Sequence, residues 1–167
     1  MVEKLEVRYQ TAYEICASVG PIVIRICDGV RTEVADLVRQ ELLFDKLLVT
    51  HANIAMLVVF THGTPPPDGA AQRHAKQFMR RYRDRVVVSV ALLGLGFWAS
   101  AVRTALSAIV RVVGHGSISI EGTVEHAISR VTMELVGIDA SEVLRDYELL
   151  WAKLKEPPAQ PRSAATG

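Results

Sequence analysis

The sequence predicts an α/β protein with a single mixed β-sheet of about five or six strands, parallel at its centre and covered by about five helices. Two segments, IAMLVVF at 54–60 and VVVSVALL at 86–93, are apolar on both faces. That pattern is typical of central parallel strands with helices on each side. Of the 167 residues, 50% are hydrophobic, which is enough to form the core of one domain.

The chain begins with an expected β-meander. Strand-like runs lie at 6–9, 13–19 and 22–27. The turn Gly20-Pro21 joins the last two runs as a hairpin, which places Cys16 near Arg25 rather than Cys27. The sequence therefore predicts two buried free thiols and no disulfide, as is typical of a protein in a reducing cytoplasm.

The middle of the chain alternates helices and strands. A largely helical segment at 30–52 precedes the strand at 54–60, and a second helix precedes the strand at 86–93. The apolar face of that second helix consists of Ala71, Ala75, Phe78 and Tyr82. Strand, helix and strand of these lengths form a βαβ unit, for which a right-handed crossover is expected.

Three further helices and one short strand complete the prediction. They are a helix at 97–113, a strand at 117–120, a helix at 123–136 that Gly137 ends, and a last helix that runs to about Lys155. Prolines at 157 and 158 stop the last helix. We therefore expect one domain over residues 1–155 and a disordered tail over 156–167.

The start of the last helix has a clear local signal. Asp139 and Glu142 have the spacing of an N-cap residue and its N3 partner in a capping box. Ile138 and Val143 stand at the two positions of a hydrophobic staple.

Residues 86–102 carry no charge and so must be compared with a membrane span. Gly94 and Gly96 interrupt the segment. Beyond them, polar side chains recur at helical spacing, at Ser100, Thr104, Ser107 and Arg111. A buried strand followed by an amphipathic helix explains this pattern better than a transmembrane segment does. Because the N-terminus also lacks the apolar stretch of a signal peptide, we expect a cytoplasmic location.

Composition and motifs argue against several classes of protein. The formal net charge is +1, and the mean hydropathy is +0.23. A nearly neutral chain has no overall attraction for polyanions, which argues against a nucleic-acid-binding protein. The five histidines show no metal-ligand spacing, and no G-x-S-x-G nucleophile motif occurs. The sequence therefore predicts a protein that is not an enzyme and holds neither a metal nor a cofactor.

One motif does match nucleotide-binding proteins. Gly94-Leu95-Gly96-Phe97-Trp98-Ala99 fits G-x-G-x-x-A between a strand and a helix. In a dinucleotide fold, the glycines admit a pyrophosphate and an acid such as Glu121 binds the ribose. The motif follows the third long strand rather than the first, however, and little chain remains beyond Glu121. Close packing of helix and strand, with Phe97 and Trp98 as apolar cover, is the favoured interpretation.

The predicted second helix has a basic face, formed by Arg73, Lys76, Arg80 and Arg83. Such a face is most often solvated, and the main alternative is contact with an acidic protein surface. Few aromatic residues lie among these charges, so base stacking on nucleic acid is not indicated.

The loop THGTPPPD at 61–68 follows the strand at 54–60 and precedes a helix. Loops at the carboxyl ends of strands in an open α/β sheet lie where ligands bind. A plain helix start, a partner contact and a phosphorylation site are all compatible with this loop. The residues concerned are Thr61, Thr64 and Asp68.

The order of elements resembles that of the STAS family, the sulphate-transporter and anti-sigma-factor-antagonist domain. The similarity covers roughly residues 5–136 and is one of topology and hydrophobic pattern. Its most suggestive pieces are Asp28-Gly29-Val30, between a strand and a helix, and Ile120-Glu121-Gly122-Thr123-Val124. The second piece resembles the family's last short strand and its following helix.

This resemblance implies a small regulatory module of a bacterial signalling system, without an active site, that binds a regulator, a kinase or its own copy. In anti-sigma-factor antagonists, a Ser or Thr in the loop after the third strand is phosphorylated, and the added charge prevents docking. Thr61 and Thr64 are the hydroxyls available in the corresponding loop of this chain, which lacks the family's Asp-Ser-Ser-Gly-like run.

Two other functions stay open from the sequence. One is a carrier for a small molecule or lipid, with an apolar pocket near Phe97 and Trp98. The other is a nucleotide-dependent enzyme that uses Gly94, Gly96 and Glu121. Apolar side chains in excess of what a small sheet needs to cover favour a partner surface or a homodimer.

Overall fold

The computed structural model describes residues 4–113 and 118–156, which form one mixed sheet of six strands with five helices. The strands are β1 (Glu6–Gln10), β2 (Glu14–Val19), β3 (Ile22–Cys27), β4 (Ile54–Thr61), β5 (Val86–Leu93) and β6 (Ile118–Glu121). The helices are α1 (Val34–Thr50), α2 (Gly69–Tyr82), α3 (Gly96–Val113), α4 (Val124–Met133) and α5 (Ala140–Lys155). The predicted fold class is confirmed, whereas the predicted tail lies, from residue 157 on, outside the described residues.

The strands lie in the sheet in the order in which they follow along the chain. β1, β2 and β3 pair antiparallel, and β3 to β6 pair parallel, as predicted for the central strands. The hairpin of β2 and β3 places Cys16 opposite Arg25, and Cys16 and Cys27 are both free and buried.

The helices cover the two faces of the sheet in unequal numbers. α1, α2 and α3, which connect the parallel strands, share one hydrophobic core with one face of the sheet. α4 and α5 form the second core with the opposite face. Successive crossovers of the same hand between neighbouring strands place their helices on the same side, which explains why three helices lie together.

β4 is buried at every position because both of its faces are covered. Met56 and Val58 belong to the core beneath α1, α2 and α3, whereas Leu57 and Val59 belong to the core beneath α4 and α5. The alternation of side chains along a strand sends neighbours to opposite faces. Two-sided burial thus explains a strand with no polar alternation.

α3 is amphipathic, as the polar positions in its sequence predict. Val102, Leu106 and Ile109 are buried, whereas Ser100 and Thr104 are exposed. Among the described residues, no helix has both the length and the apolar character needed to cross a membrane.

Two helix boundaries differ from the prediction. α1 begins at Val34 rather than near residue 30, because Gly29 adopts φ +78 and the loop that follows turns Thr32 into the interior. α4 ends at Met133 rather than at 136, where the Leu135 N–H donates to the Thr132 carbonyl and tightens the chain. Gly137 has φ +80 but follows this end instead of capping it directly.

α5 begins as predicted, with Asp139 as its N-cap. The Asp139 carboxylate accepts from the backbone N–H of Ser141 at 2.8 Å. The Glu142 N–H, the partner that the capping-box spacing predicts, donates instead to the Asp139 carbonyl. The side-chain cap therefore acts one residue earlier than expected.

α2 also begins with a capping carboxylate, since Asp68 Oδ1 accepts from the Ala71 N–H at 2.8 Å. We expect Asp68→Ala to lower the free energy of unfolding by about 1 kcal/mol, because this N–H loses its acceptor. Asp68→Asn retains an acceptor and should lose much less. Urea denaturation measures both variants, and equal losses would contradict the capping role.

Candidate functional site

β3, β4 and β5 run parallel and end at the same edge of the sheet, which we call the carboxyl edge. The loops at 28–33, 62–68 and 94–95 follow these strands there. In open α/β sheets, ligands bind in the crevice at this edge. The Thr61 to Asp68 segment and the start of α3, both singled out by the sequence, meet here.

Thr64 lies inside the carboxyl edge and is 1% exposed. Its hydroxyl donates to the Cys27 carbonyl at 3.0 Å and accepts from the Gly29 N–H at 3.0 Å. The Thr61 hydroxyl, also buried, donates to Asp28 at 2.7 Å. The two candidate phosphorylation residues thus hold neighbouring loops together. Transfer of a phosphoryl group to either hydroxyl requires this loop to open.

Asp28 also joins the C-terminal helix to the carboxyl edge. Lys155 of α5 donates to its carboxylate at 2.5 Å. Partial burial acts to raise the pKa of Asp28, but the hydrogen bonds from Lys155 and Thr61 outweigh it and hold the pKa below its usual value. The carboxylate is therefore charged at neutral pH and retains both donors.

At the start of α3, Trp98 is turned towards the protein interior and Phe97 towards solvent. The Trp98 indole N–H donates to the Thr64 carbonyl at 2.7 Å, and its ring centroid lies 5.1 Å from that of His62. Phe97 is 91% exposed and Leu95 is 87% exposed. The prediction that Phe97 covers the core is wrong, because the helix turns Trp98 inward and leaves Phe97 on the outer side.

Packing explains the glycines of the G-x-G motif. A Cβ atom at Gly94 would lie 2.6 Å from His62 Nδ1 and 2.6 Å from Trp98 Cζ3, which leaves no room for a side chain. Gly96 has φ +79, a conformation that other residues rarely adopt. The two rings occupy the space beside Gly94. Glu121, the candidate ribose ligand, lies at the end of β6 and is partly buried.

The predicted basic residues lie on α2 or directly after it: Arg73, Lys76, Arg80 and Arg83. Arg83 pairs with Asp84 at 3.5 Å, and the adjacent Arg81 bonds to Asp45 of α1 at 3.1 Å. Within residues 4–113 and 118–156, no ion pair engages Arg73, Lys76 or Arg80. We call these three residues the basic face of α2.

Arg25 of β3 is the functional candidate that the sequence analysis missed. It is only 2% exposed, and its Nε donates to Glu14 Oε1 at 2.5 Å. Its Nη2 lies 3.6 Å from Asp36 Oδ2. With the Gln40 amide oriented so that its oxygen faces the guanidinium, that oxygen accepts from Arg25 Nη1 at 2.8 Å. A charge in an otherwise apolar layer needs such partners.

The two cysteines on either side of this network are inert thiols. Burial raises the pKa of Cys16 to about 11 and that of Cys27 to about 12, although the positive charge of Arg25 acts in the opposite direction. Since the thiolate is the nucleophile and metal ligand, neither residue is reactive at neutral pH. Their arrangement agrees with the prediction of two buried free thiols.

A signal for Arg25 is present in the sequence. A single arginine inside the apolar run IVIRIC indicates a buried pair, because charged residues are almost never fully buried without a partner. The hairpin register supplies that partner, since Glu14 and Arg25 lie on the same face of adjacent strands. The other partners, Asp36 and Gln40, come from α1, and only the packing of that helix brings them here.

Within the described ranges, no group of three or more His, Cys, Asp or Glu side chains could hold a metal ion. No protein-family model matches the chain, and a search of curated proteins finds no match. The resemblance to the STAS family therefore stays a prediction.

The pairing of Glu14 with Arg25 can be tested by a double-mutant cycle. Glu14→Leu should lower the free energy of unfolding by about 3–5 kcal/mol, because it leaves a buried charge without its closest partner. The double variant with Glu14→Leu and Arg25→Met should lose less unfolding free energy than the two single variants lose in sum, because apolar side chains then replace both charges. Urea denaturation of the four proteins measures the coupling, and additive losses would contradict it.

The structural role of Thr64 gives a second test. Thr64→Val keeps the shape of the side chain but leaves the Gly29 N–H and the Cys27 carbonyl unpaired, so we expect a loss of about 1–3 kcal/mol. Thr64→Ser retains the hydroxyl and should lose less. Thr104→Val, at an exposed position of α3, is the matched control. Equal stability of the Thr64→Val and Thr104→Val proteins would refute the role.

Proposed function

We propose that this protein is a non-catalytic interaction module of a bacterial signalling system, which docks an acidic partner protein on its carboxyl edge. The observation that carries this proposal is the exposure of Phe97 at the start of α3, beside the exposed Leu95. Large apolar side chains that stay together in solvent are typical of protein-binding surfaces. Aromatic residues also contribute much of the binding energy at the centres of interfaces.

The backbone that presents Phe97 is held on its inner side. The adjacent Trp98 is fixed by its bond to the Thr64 carbonyl and by the His62 ring. Thr64 is in turn bonded to the end of β3. A partner that binds Phe97 therefore pays little in lost backbone freedom, which favours affinity.

The charge of the neighbouring helix indicates the chemistry of the partner. α2 and α3 contact each other and both begin at the carboxyl edge, and the basic face of α2 runs from Arg73, near that edge, to Arg80 in the last turn of the helix. A partner surface with an apolar cleft and carboxylates around it complements this arrangement. A two-fold contact of this surface with its own copy would bring two basic faces together, so we favour a different protein over a homodimer.

The proposed docking does not depend on a phosphorylated threonine. Thr61 and Thr64 both use their hydroxyls in bonds that hold the loops of the carboxyl edge. In this respect the proposed module differs from the anti-sigma-factor antagonists that the sequence resembles.

The proposal can be tested by comparing three immobilised proteins in extracts of the host: the wild type, Leu95→Ser with Phe97→Ser, and Leu149→Ser. Leu149 is an exposed leucine on α5, so its variant is the matched control. Loss of an aromatic anchor costs about 2 kcal/mol or more, about 30-fold in affinity. At least one acidic protein retained by the wild type and by Leu149→Ser should be lost from the double variant, with circular dichroism unchanged.

A second variant tests the charge component. Arg73→Glu with Arg80→Glu should weaken retention of the same acidic protein, and added salt should weaken its binding to the wild type. If all variants retain the same proteins as the wild type, the carboxyl edge is not the docking surface.

A further inference from the structure

A cavity of about 90 Å³ lies between the sheet and the layer of α1, α2 and α3. It extends beneath four adjacent strands, from Arg25 of β3 past Val58 and Val90 to Ile118 of β6. Because adjacent strands lie about 4.8 Å apart, a cavity lined by four of them is elongated across the sheet. Every residue that lines it is buried except Ala75, which is half-buried.

One end of this cavity is polar, and two polar atoms there make no hydrogen bond. Arg25 and Thr32 both line it and are 2% and 5% exposed. Within the described part of the chain, neither Arg25 Nη2 nor Thr32 Oγ1 has a hydrogen-bond partner, since Asp36 Oδ2 lies 3.6 Å from Nη2, beyond hydrogen-bond distance. Because buried polar atoms normally have one, these two groups indicate a bound molecule that supplies the missing bonds.

The charges around this end are already balanced. The two positive charges of Arg25 and Arg39 are matched by the two negative charges of Glu14 and Asp36. Arg25 bonds to Glu14, and Arg39 bonds to Asp36. An anionic ligand would add an uncompensated charge to a buried site, which is costly. A hydroxyl or carbonyl oxygen accepts from Arg25 Nη2 without that cost, and Thr32 Oγ1 can either donate to it or accept from a hydroxyl.

The rest of the cavity is lined by apolar side chains, and its volume is too large to be explained by one water. A buried water needs about 10–15 Å³ and an apolar cavity of about 150 Å³ holds benzene, so a cavity of about 90 Å³ has room for a molecule smaller than benzene. Beyond Arg25, Thr32 and Gln40, every lining side chain is apolar. Waters would find few bonding partners there, while an aliphatic chain would bury its surface.

We propose that this cavity binds a small, uncharged, unbranched amphiphile with one terminal hydroxyl or carbonyl group. Its oxygen bonds to Arg25 Nη2 and Thr32 Oγ1, and its aliphatic chain lies along Val58 and Val90 beneath the helices. The site is separate from the carboxyl edge and from the pocket that the sequence suggested near Phe97 and Trp98, neither of which lines this cavity.

The test uses 1-propanol and sodium propanoate, which have chains of equal carbon number, are smaller than benzene and differ in charge. Isothermal titration calorimetry and the melting temperature should show saturable binding of 1-propanol by the wild type, with propanoate at least about tenfold weaker. Thr32→Val should weaken 1-propanol binding roughly 2- to 10-fold through the loss of one hydrogen bond.

Two alanine-to-leucine variants on α2 locate the binding. Ala75→Leu fills the cavity and should abolish the response to 1-propanol. Ala70→Leu places the same side chain at an exposed position of the same helix, outside the cavity lining, and should retain the response. A wild type that does not bind 1-propanol saturably, or an Ala75→Leu protein that binds it equally well, would overturn the proposal. Equal binding of propanoate would overturn the assignment to an uncharged ligand.

Discussion

The buried guanidinium of Arg25 is the constraint on which much of this structure depends. A charge between the sheet and its helices is tolerated only when its neighbours supply hydrogen bonds and opposite charge. Glu14 provides both from the next strand, whereas on α1 Gln40 provides a hydrogen bond and Asp36 provides a negative charge 3.6 Å from Nη2. The network thus joins the antiparallel hairpin, the first parallel strand and the first crossover helix, and any shift of one against another leaves a charge unpaired.

The carboxyl edge is held by a different kind of contact. Short side chains of the loops bond to backbone groups of neighbouring loops, as Thr64 does to Cys27 and Gly29. Trp98 bonds to the same loop from the other side, and Lys155 brings the end of α5 to Asp28. With these groups satisfied internally, the large side chain left in solvent at the start of α3 is Phe97. The edge is therefore well fixed and yet presents an apolar group.

The buried cavity and the exposed edge involve the same layer of helices. On α2, Arg73 and Arg80 of the basic face are exposed to solvent, while Ala71 and Ala75 on the inner side line the cavity. Small residues on that inner side keep the helix from filling the space above β4 and β5. The cavity thus follows from alanine where a larger apolar residue would pack, and its polar end follows from Arg25.

The sequence by itself determined the class of fold and the nature of most elements. Two-sided apolar runs require covered parallel strands, and the hairpin turn places Cys16 opposite Arg25, because both are local consequences of side-chain periodicity. Local patterns also located the N-cap of α5. They did not locate the start of α1, where Thr32 turns inward, or the end of α4, where the Thr132 carbonyl accepts a hydrogen bond from the Leu135 N–H. Only the tertiary structure decided that Thr61 and Thr64 are bonded internally, that Phe97 is exposed while Trp98 is not, and that Arg25 lines a cavity. Each of these depends on which residues of distant segments meet, and no sequence period encodes that.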